Sequence, residues 1–342
     1  VTFEEIATKA MTLTQAESQA VAKKVIKEYE TALKAMNEQL KDAYLKLTEV
    51  KPEDYFNYMT KFNRLSMLTE DLQKKYLATA RIIGKETEAA AEQAISNSYY
   101  RNLYAMNWSE AAQGVFVALD QKVIDVSVYG TQEAWKAISD TAKFGRSETY
   151  LRQSGTLLSE LLSKRNPQMI NDIETTIRAG LMAGDSYAKM ARRVKKIMDT
   201  DAYKALRIVN TETHRNQMAG QYASMMALKD EGVQARRMIV SVLDTRTRPQ
   251  SAQVDGKFED DDGYFHYPDG VLVAIPGNSG NPAWDINDRE AVIMSIDGTP
   301  PEVRRGRDPV TGKTDIISWT SFDDWMKTNG LKYNKNGIMV PE

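Results

Sequence analysis

The chain has no cysteine in 342 residues. It therefore has no disulfide framework, no thiolate to ligate a metal and no cysteine nucleophile, and nothing in it calls for an oxidising compartment. Histidine is almost as scarce. His214 and His266 are the only two, and neither stands in a metal-ligating context such as His-Glu-x-x-His. No metal and no cofactor are expected. A charge excess is also missing: 45 Lys and Arg against 47 Asp and Glu give a net charge of -2. A surface that neutralised many phosphates would show a basic excess or a basic stripe, so DNA binding by the whole surface is disfavoured. No apolar run approaches the length of a bilayer span, and Val-Thr-Phe-Glu-Glu at the start lacks the basic and apolar regions of a signal peptide. Synthesis in a cytoplasm, with no membrane partner, is the expectation. No linker rich in Gly, Pro or Ser divides the chain.

What is present is ordinary for a folded protein, with 27% charged and 42% hydrophobic residues. The length allows a large core and two domains. The expected division is a helical N-terminal region, 1–165, and a smaller α+β domain, 166–342. The first region opens on the cleanest periodicity in the chain. Ala22, Ile26, Tyr29, Leu33, Met36, Leu40, Ala43 and Leu47 step by four and three, a coiled-coil seam of about three heptads. Lys51-Pro52-Glu53-Asp54 breaks that helix and starts another, in which Tyr58, Phe62, Leu65, Leu68, Leu72 and Tyr76 repeat. An antiparallel helical hairpin follows from this pairing. A further helix is expected through Glu86–Met106, whose Tyr99, Tyr100 and Tyr104 read as a packing flank, with base stacking as the alternative. Short helices and turns follow, with a short strand at Val123–Tyr129 and helices at Glu148–Ser163 and Asn171–Leu181.

The stretch from Asp201 to Gly256 organises the rest. Up to Glu231 it keeps a helical beat, and Gly232 stops it. Just before it, Ala183-Gly184-Asp185-Ser186 ends one helix and caps the next, Tyr187–Met198. From Ala235 the period shortens to two, so Met238, Val240 and Val242 mark a strand, and Asp244–Pro249 supplies turn chemistry. Arg246 and Arg248 in that turn are guanidinium forks, which take carboxylate or phosphate partners. Val271–Ile275 and Ala291–Ile296 read as further strands of a small antiparallel sheet packed on the long helix. The acidic run Glu259, Asp260, Asp261, Asp262 and Asp269 does not fit a helix-loop-helix calcium site and reads as a solvated hairpin tip. Pro276–Pro282 is a loop whose amides could cradle an anion, or a plain connection. Gly306–Thr314, GRDPVTGKT, is one residue too long for a phosphate loop and lacks its strand-to-helix context. Trp319, Phe322, Trp325 and Met326 mark a short amphipathic helix.

One ordered series runs through this region. Arg207, Thr211 and Glu212 form Arg-x-x-x-Thr-Glu; Asp244, Arg246, Thr247 and Arg248 form Asp-x-Arg-Thr-Arg; Asp255-Gly256, Pro276-Gly277 and Ile286-Asn287-x-Arg289 follow. The series resembles the phage head-morphogenesis family, the minor capsid proteins similar to phage Mu protein F, over roughly Asn171–Ile293. The resemblance implies a structural role without catalysis, inside the head of a tailed phage, with passage through the host cytoplasm during assembly. It implies the portal protein as partner, and scaffold, major capsid protein or packaged DNA as further ones. The departures are equally plain. Where members of the family have His or Cys, this chain has Ser251, Asp288 and Glu290, so no zinc site or cystine carries over.

Under this reading the motif residues form an arginine–carboxylate network. Asp244 and Asp255 hold Arg246, Arg248 and Arg289, Glu212 closes the cluster from the helix, and Asp288 and Glu290 replace a staple by ion pairs. The seam residues Ile26, Tyr29, Leu33, Met36 and Leu40 are the expected partner-binding or self-association surface. Two rivals stay open. A DNA-binding protein carried with the genome would use Arg192, Arg193, Lys195 and Lys196, with a second basic cluster at Arg304, Arg305 and Arg307. An enzyme would use the arginine and carboxylate cluster with Glu212 as its essential acid.

Overall fold

A stripe of small and polar residues runs down the helix that carries the domain. The computed structural model describes residues 88–106, 112–115, 117–121, 123 and 187–342 apart from 280, 287 and 297, with isolated positions at 16–38, 85 and 171–179. The expected helical hairpin lies outside the described residues except for helical positions between 16 and 38, as do the expected helix at 148–163 and all of the expected strand but Val123. By contact the chain forms two compact units, one of 1–19, 90–155 and 210–342, the other of 20–89 and 156–209. The coarse class is as expected, helices with small antiparallel sheets.

Helix α1 spans residues 88–106, and α2 is Tyr187–Asp230, a single run of 44 residues. The sequence predicts a break after Met198, and there is none. Asp199-Thr200-Asp201 contains neither Gly nor Pro, Lys195 bonds Asp199 one turn on at 2.5 Å, and the Thr200 hydroxyl turns back to the Lys196 carbonyl at 2.8 Å. Both side chains are thus satisfied within the helix, and the capping residues do not cap. In the first unit α1 meets α2 through small residues. Ala91, Ala94 and Ser98 are buried on α1, Ser224 on α2, and the Ser98 hydroxyl donates to the Gln217 carbonyl at 2.7 Å. Asn102 Nδ2 donates to Ser224 Oγ at 2.6 Å. The helices close up at Gly220, where a Cβ would stand 2.4 Å from the Ile95 carbonyl oxygen.

The end of α2 is locked as the sequence predicts. Gly232 takes a φ of 86°, its N–H donates to Lys229, and the Val233 N–H reaches back to Leu228 at 3.0 Å. Leu228 and Val233 then share one buried cluster with Tyr99, Met106, Met225 and Met294, the apolar contact that accompanies this kind of stop. The chain turns directly into β1 (Arg236–Val240), which pairs antiparallel with β4 (Ala291–Ser295), Met238 facing Ile293. Between them come α3 (Pro249–Val254), the two-residue strands β2 (Phe265–His266) and β3 (Leu272–Val273), and α4 (Pro282–Asp285). The segment expected as a third strand of the main sheet pairs with β2 instead. Its core contribution survives the change: Phe265, Tyr267, Val273 and Ile275 pack with Met218 of α2, Ile239 of β1 and Trp284 of α4.

Beyond β4 the sequence reading misses two hairpins. β5 (Val303–Arg307) pairs with β6 (Thr314–Ser318), and β7 (Leu331–Tyr333) with β8 (Met339–Pro341). The rejected phosphate-loop match is the turn between β5 and β6. There the Asp308 carboxylate accepts from the Val310 and Thr311 amides at 2.8 and 2.7 Å. The expected helix α5 (Phe322–Thr328) starts at Ser321, which accepts from the Asp324 amide, and buries Phe322 and Trp325 against Leu243 and Leu331. Among the described residues no helix is long and apolar enough to cross a membrane.

Gly220→Ala tests the close approach of α1 and α2. Alanine gains about 1 kcal/mol of helix propensity, yet the overlap with Ile95 costs about 1–3 kcal/mol or more, because a backbone carbonyl cannot step aside. Net destabilisation in urea unfolding is expected, and a stabilised variant would refute the packing.

Candidate functional site

The loop between β1 and α3 begins with an acid that has more donors than it needs. Asp244, with a side chain 3% exposed, accepts from Arg289 Nη1 and Nη2 at 2.9 and 2.6 Å. It also takes the Arg246 amide at 2.9 Å and the Arg246 guanidinium at 3.1 Å. Burial pushes this carboxyl up, but the bonds from Arg289 and Arg246 outweigh it and hold the group at about 2. Thr247 closes the turn, its hydroxyl bonding the Val242 carbonyl, and its own carbonyl accepts from Tyr333 at 2.9 Å.

Asp255, where α3 ends, is the second node. One oxygen accepts from the Ser241 amide at 2.7 Å and the other from the Phe322 amide at 2.9 Å, so the carboxylate bridges the chain after β1 to the start of α5. Arg304 on β5 binds both oxygens at 2.8 Å. Its Nη groups also donate to the carbonyls of Ser241 and Thr320, and its guanidinium lies 4.5 Å above the Trp319 ring. The pair is sealed, with side chains 3% and 2% exposed. Gly256, at a φ of 75°, follows and returns its N–H to the Ile239 carbonyl at 2.8 Å.

The third node ties β1 to the acidic run. Glu259 is buried, not solvated, and binds Arg237 Nε at 2.7 Å and the Arg237 amide at 3.0 Å. Arg237 sits between the rings of Tyr222 and Phe265, 4.6 and 5.1 Å from their centres. Asp260 does belong to a turn, accepting from the Asp262 and Tyr264 amides.

The three positions where the phage family has His or Cys gather around Arg248. Its Nη2 lies 3.5 Å from Ser251 Oγ and 3.8 Å from Asp288 Oδ1. Its main work is elsewhere. It donates to the carbonyls of Ala283, Trp284 and Ile286 at 2.8, 2.9 and 3.2 Å, the free acceptors at the end of α4. Among the described residues Glu290 makes no ion pair. The Tyr267 hydroxyl donates to it at 2.5 Å, and burial together with the neighbouring Asp288 charge pushes its carboxyl up to about 8. His214 Nε2 stands 3.3 Å from Asp288 Oδ2 without a hydrogen bond.

The expected network is therefore present with different partners. Asp244 holds Arg246 and Arg289, but Asp255 holds Arg304, which the sequence reading placed in a basic cluster open to DNA, and Arg248 serves carbonyls. Arg237 and Glu259 were missed. An arginine inside an apolar strand is the signal that could have found them, since a buried charge needs a buried partner. Arg207 is half-buried on α2 in the second unit, and Thr211 is buried on α2 in the first. The Glu212 side chain, Asn287 and the seam residues Tyr29, Leu33, Met36 and Leu40 lie outside the described residues, while Ile26 is 41% exposed. Arg192, Arg193, Lys195 and Lys196 are exposed on α2, Lys195 paired with Asp199. Tyr99 is buried and bonds the Val117 carbonyl, so it is a packing residue; Tyr100 and Tyr104 are half-exposed.

These bonds define a helix-backed α+β domain whose loops are cross-tied by arginines, with the carboxylates of Asp244, Asp255 and Glu259 engaged in structure. Residues 171–278 match the family described as Phage Mu protein F like protein, and the resemblance to the phage head-morphogenesis family read from the motifs is borne out. The matched range holds α2, β1, Asp244, Asp255 and Glu259, and ends before Arg289 and Arg304. The chain is also similar to the minor head protein of Bacillus phage SPP1, 28% identical over 295 residues, which cover 86% of this chain and 87% of that protein. An NAD(+)–arginine ADP-ribosyltransferase of Enterococcus faecalis is 28% identical over 172 residues, half of this chain but 34% of that enzyme. No solved structure matches.

Two outcomes separate the nodes. Asp255→Asn leaves Arg304 buried without its charge partner and should cost about 3–5 kcal/mol. Arg246→Ala, whose side chain is 69% exposed, should cost about 1 kcal/mol or less. Chemical denaturation of both variants measures the contrast, and equal losses would contradict this division of labour.

The Glu290 carboxyl gives a pH dependence of definite sign. With its folded value raised from 4.5 to about 8, its contribution is fully present below about 4.5 and is lost as pH rises through about 8, because the unfolded chain ionises first. Glu290→Gln keeps an acceptor for Tyr267 and removes the titration. Thermal melts should show the variant gaining on the parent as pH climbs across that window; a constant difference would mean that Glu290 is ionised throughout.

Proposed function

We propose that this protein is a minor head protein of a tailed phage, a structural component of the virion that acts in head morphogenesis. The observation that carries the reading is the extent of the similarity to the SPP1 protein, which takes in nearly all of both chains. The match to the ADP-ribosyltransferase takes in a third of that enzyme, as a shared segment inside differently built proteins would. The site supports the same reading. Asp244, Asp255 and Glu259 are committed to arginines and backbone amides, and a general base has to be free to take a proton.

In this proposal the protein works inside the head and meets the portal protein, with scaffold, major capsid protein or packaged DNA as further contacts. The helical region 1–165 supplies the partner surface through Ile26, Tyr29, Leu33, Met36 and Leu40, and the domain 166–342 carries the cross-tied loops. A second reading, transfer of ADP-ribose from NAD to arginine, is favoured by the name of the enterococcal relative alone. It requires the purified chain to carry out a measurable NAD-dependent modification of an arginine substrate.

Co-sedimentation with the candidate portal protein and, separately, with DNA over a range of salt tests the main reading. Portal binding that survives moderate salt, without DNA binding, is the expected result. Tight DNA binding that collapses with salt, without portal binding, would replace it by the genome-carried alternative.

A further inference from the structure

Two openings of the molecule share an edge. A cavity of about 200 Å³ lies under β5, with Val240, Leu243, Ile293 and Met294 among its apolar walls. A more polar cleft of about 320 Å³ lies between the Asp244–Arg246 turn and the Asp308–Gly312 turn. Asp244, Arg246 and Arg307 line both, so the openings adjoin along that edge.

The charge along the shared edge is unbalanced. Asp244 is matched by Arg289 through two bonds of 2.9 and 2.6 Å, and Arg246 adds a second cation to the same single anion. The Asp308 carboxylate is turned into its own loop by the Val310 and Thr311 amides. Arg307 is exposed and its guanidinium lies across Gly312, with Nη2 3.3 Å from where a Cβ would stand. Arg246, 69% exposed, keeps its outer face to solvent. Two guanidinium forks thus face a cleft whose acids are already occupied. Beside them the apolar cavity offers burial to an aliphatic group, and Val310 at the lip is 92% exposed.

We propose that this double opening is a docking groove for an acidic peptide segment of a partner protein. An aliphatic side chain enters the cavity, and adjoining Asp or Glu carboxylates bind Arg246 and Arg307. A carboxylate fits the planar fork with two parallel bonds. A phosphate backbone suits the site less well. It has nothing to place on the apolar walls, it brings more negative charge near Asp244 and Asp308, and the chain's net charge of -2 gives no wider field to hold it. The inference goes beyond the head-protein reading and does not rest on it.

Calorimetric titration of the full chain with a capped peptide alternating Leu and Glu tests the groove, alongside the same peptide with Gln for Glu, with Ala for Leu, and a short oligothymidylate. Saturable binding of the Leu-Glu peptide is expected, with affinity falling about tenfold for each substituted peptide and for Arg307→Ala. Arg307 is exposed, so that variant should melt like the parent; Arg246→Gln supplies an independent loss at the other fork. The proposal is overturned if the Leu-Glu peptide does not bind, if the Gln peptide binds equally well, if neither arginine variant weakens binding, or if oligothymidylate displaces the peptide.

Discussion

The Asp255 carboxylate is the constraint on which the C-terminal half depends. Its two oxygens meet the strand edge at Ser241, the hairpin through Arg304 and the start of α5 at Phe322. Hairpin β5–β6 and helix α5 are short, and neither would be stable alone. One buried anion gives them a common origin. A charge sealed in this way is worth little as net stability against an apolar replacement, but its loss is severe because the partner stays buried. Its value lies in specifying one arrangement: only a residue with a fork of donors at Arg304 can answer a carboxylate whose other lone pairs are taken by amides.

The same logic repeats at Asp244 and Glu259. In each case an acid beside β1 captures an arginine from another part of the chain while also accepting a backbone amide. The small sheet therefore does not hold the domain by its own ladder, which is two strands wide. It is held by the apolar face of α2, where Ile239 packs with Met218, and by the ionic ties around it, with Met238 and Ile239 fully buried.

Much of this was legible in the sequence and some was not. The long helix, its glycine stop and the strand that follows were readable because their periodicities and terminal chemistry are local. The motif Asp-x-Arg-Thr-Arg announced a charge network, and Asp244 with Arg246 and Arg289 fulfils it. The pairing Asp255–Arg304 was not readable, since the partners are 49 positions apart and Arg304 sits in what looks like a basic surface run. Only the alternation of β5, which turns Arg304 inward and leaves Arg305 and Arg307 on the opposite face, distinguishes them. Glu259 was hidden likewise among acids that are solvated. The break after Met198 was a false signal, because residues that cap a helix when free can also satisfy themselves within it.

The arginine ties have a consequence for how the domain comes into being. A chain stapled by cystines must wait for an oxidant and can be trapped in wrong pairings, each a covalent error needing repair. Guanidinium–carboxylate ties form and break at the speed of side-chain motion, so wrong partners are sampled and discarded until burial selects the right one. Stability of this kind needs no electron acceptor and is the same whether the surroundings are reducing or oxidising. Its vulnerability is to the solvent itself: water admitted to the Asp255–Arg304 contact would loosen the hairpin and α5 together.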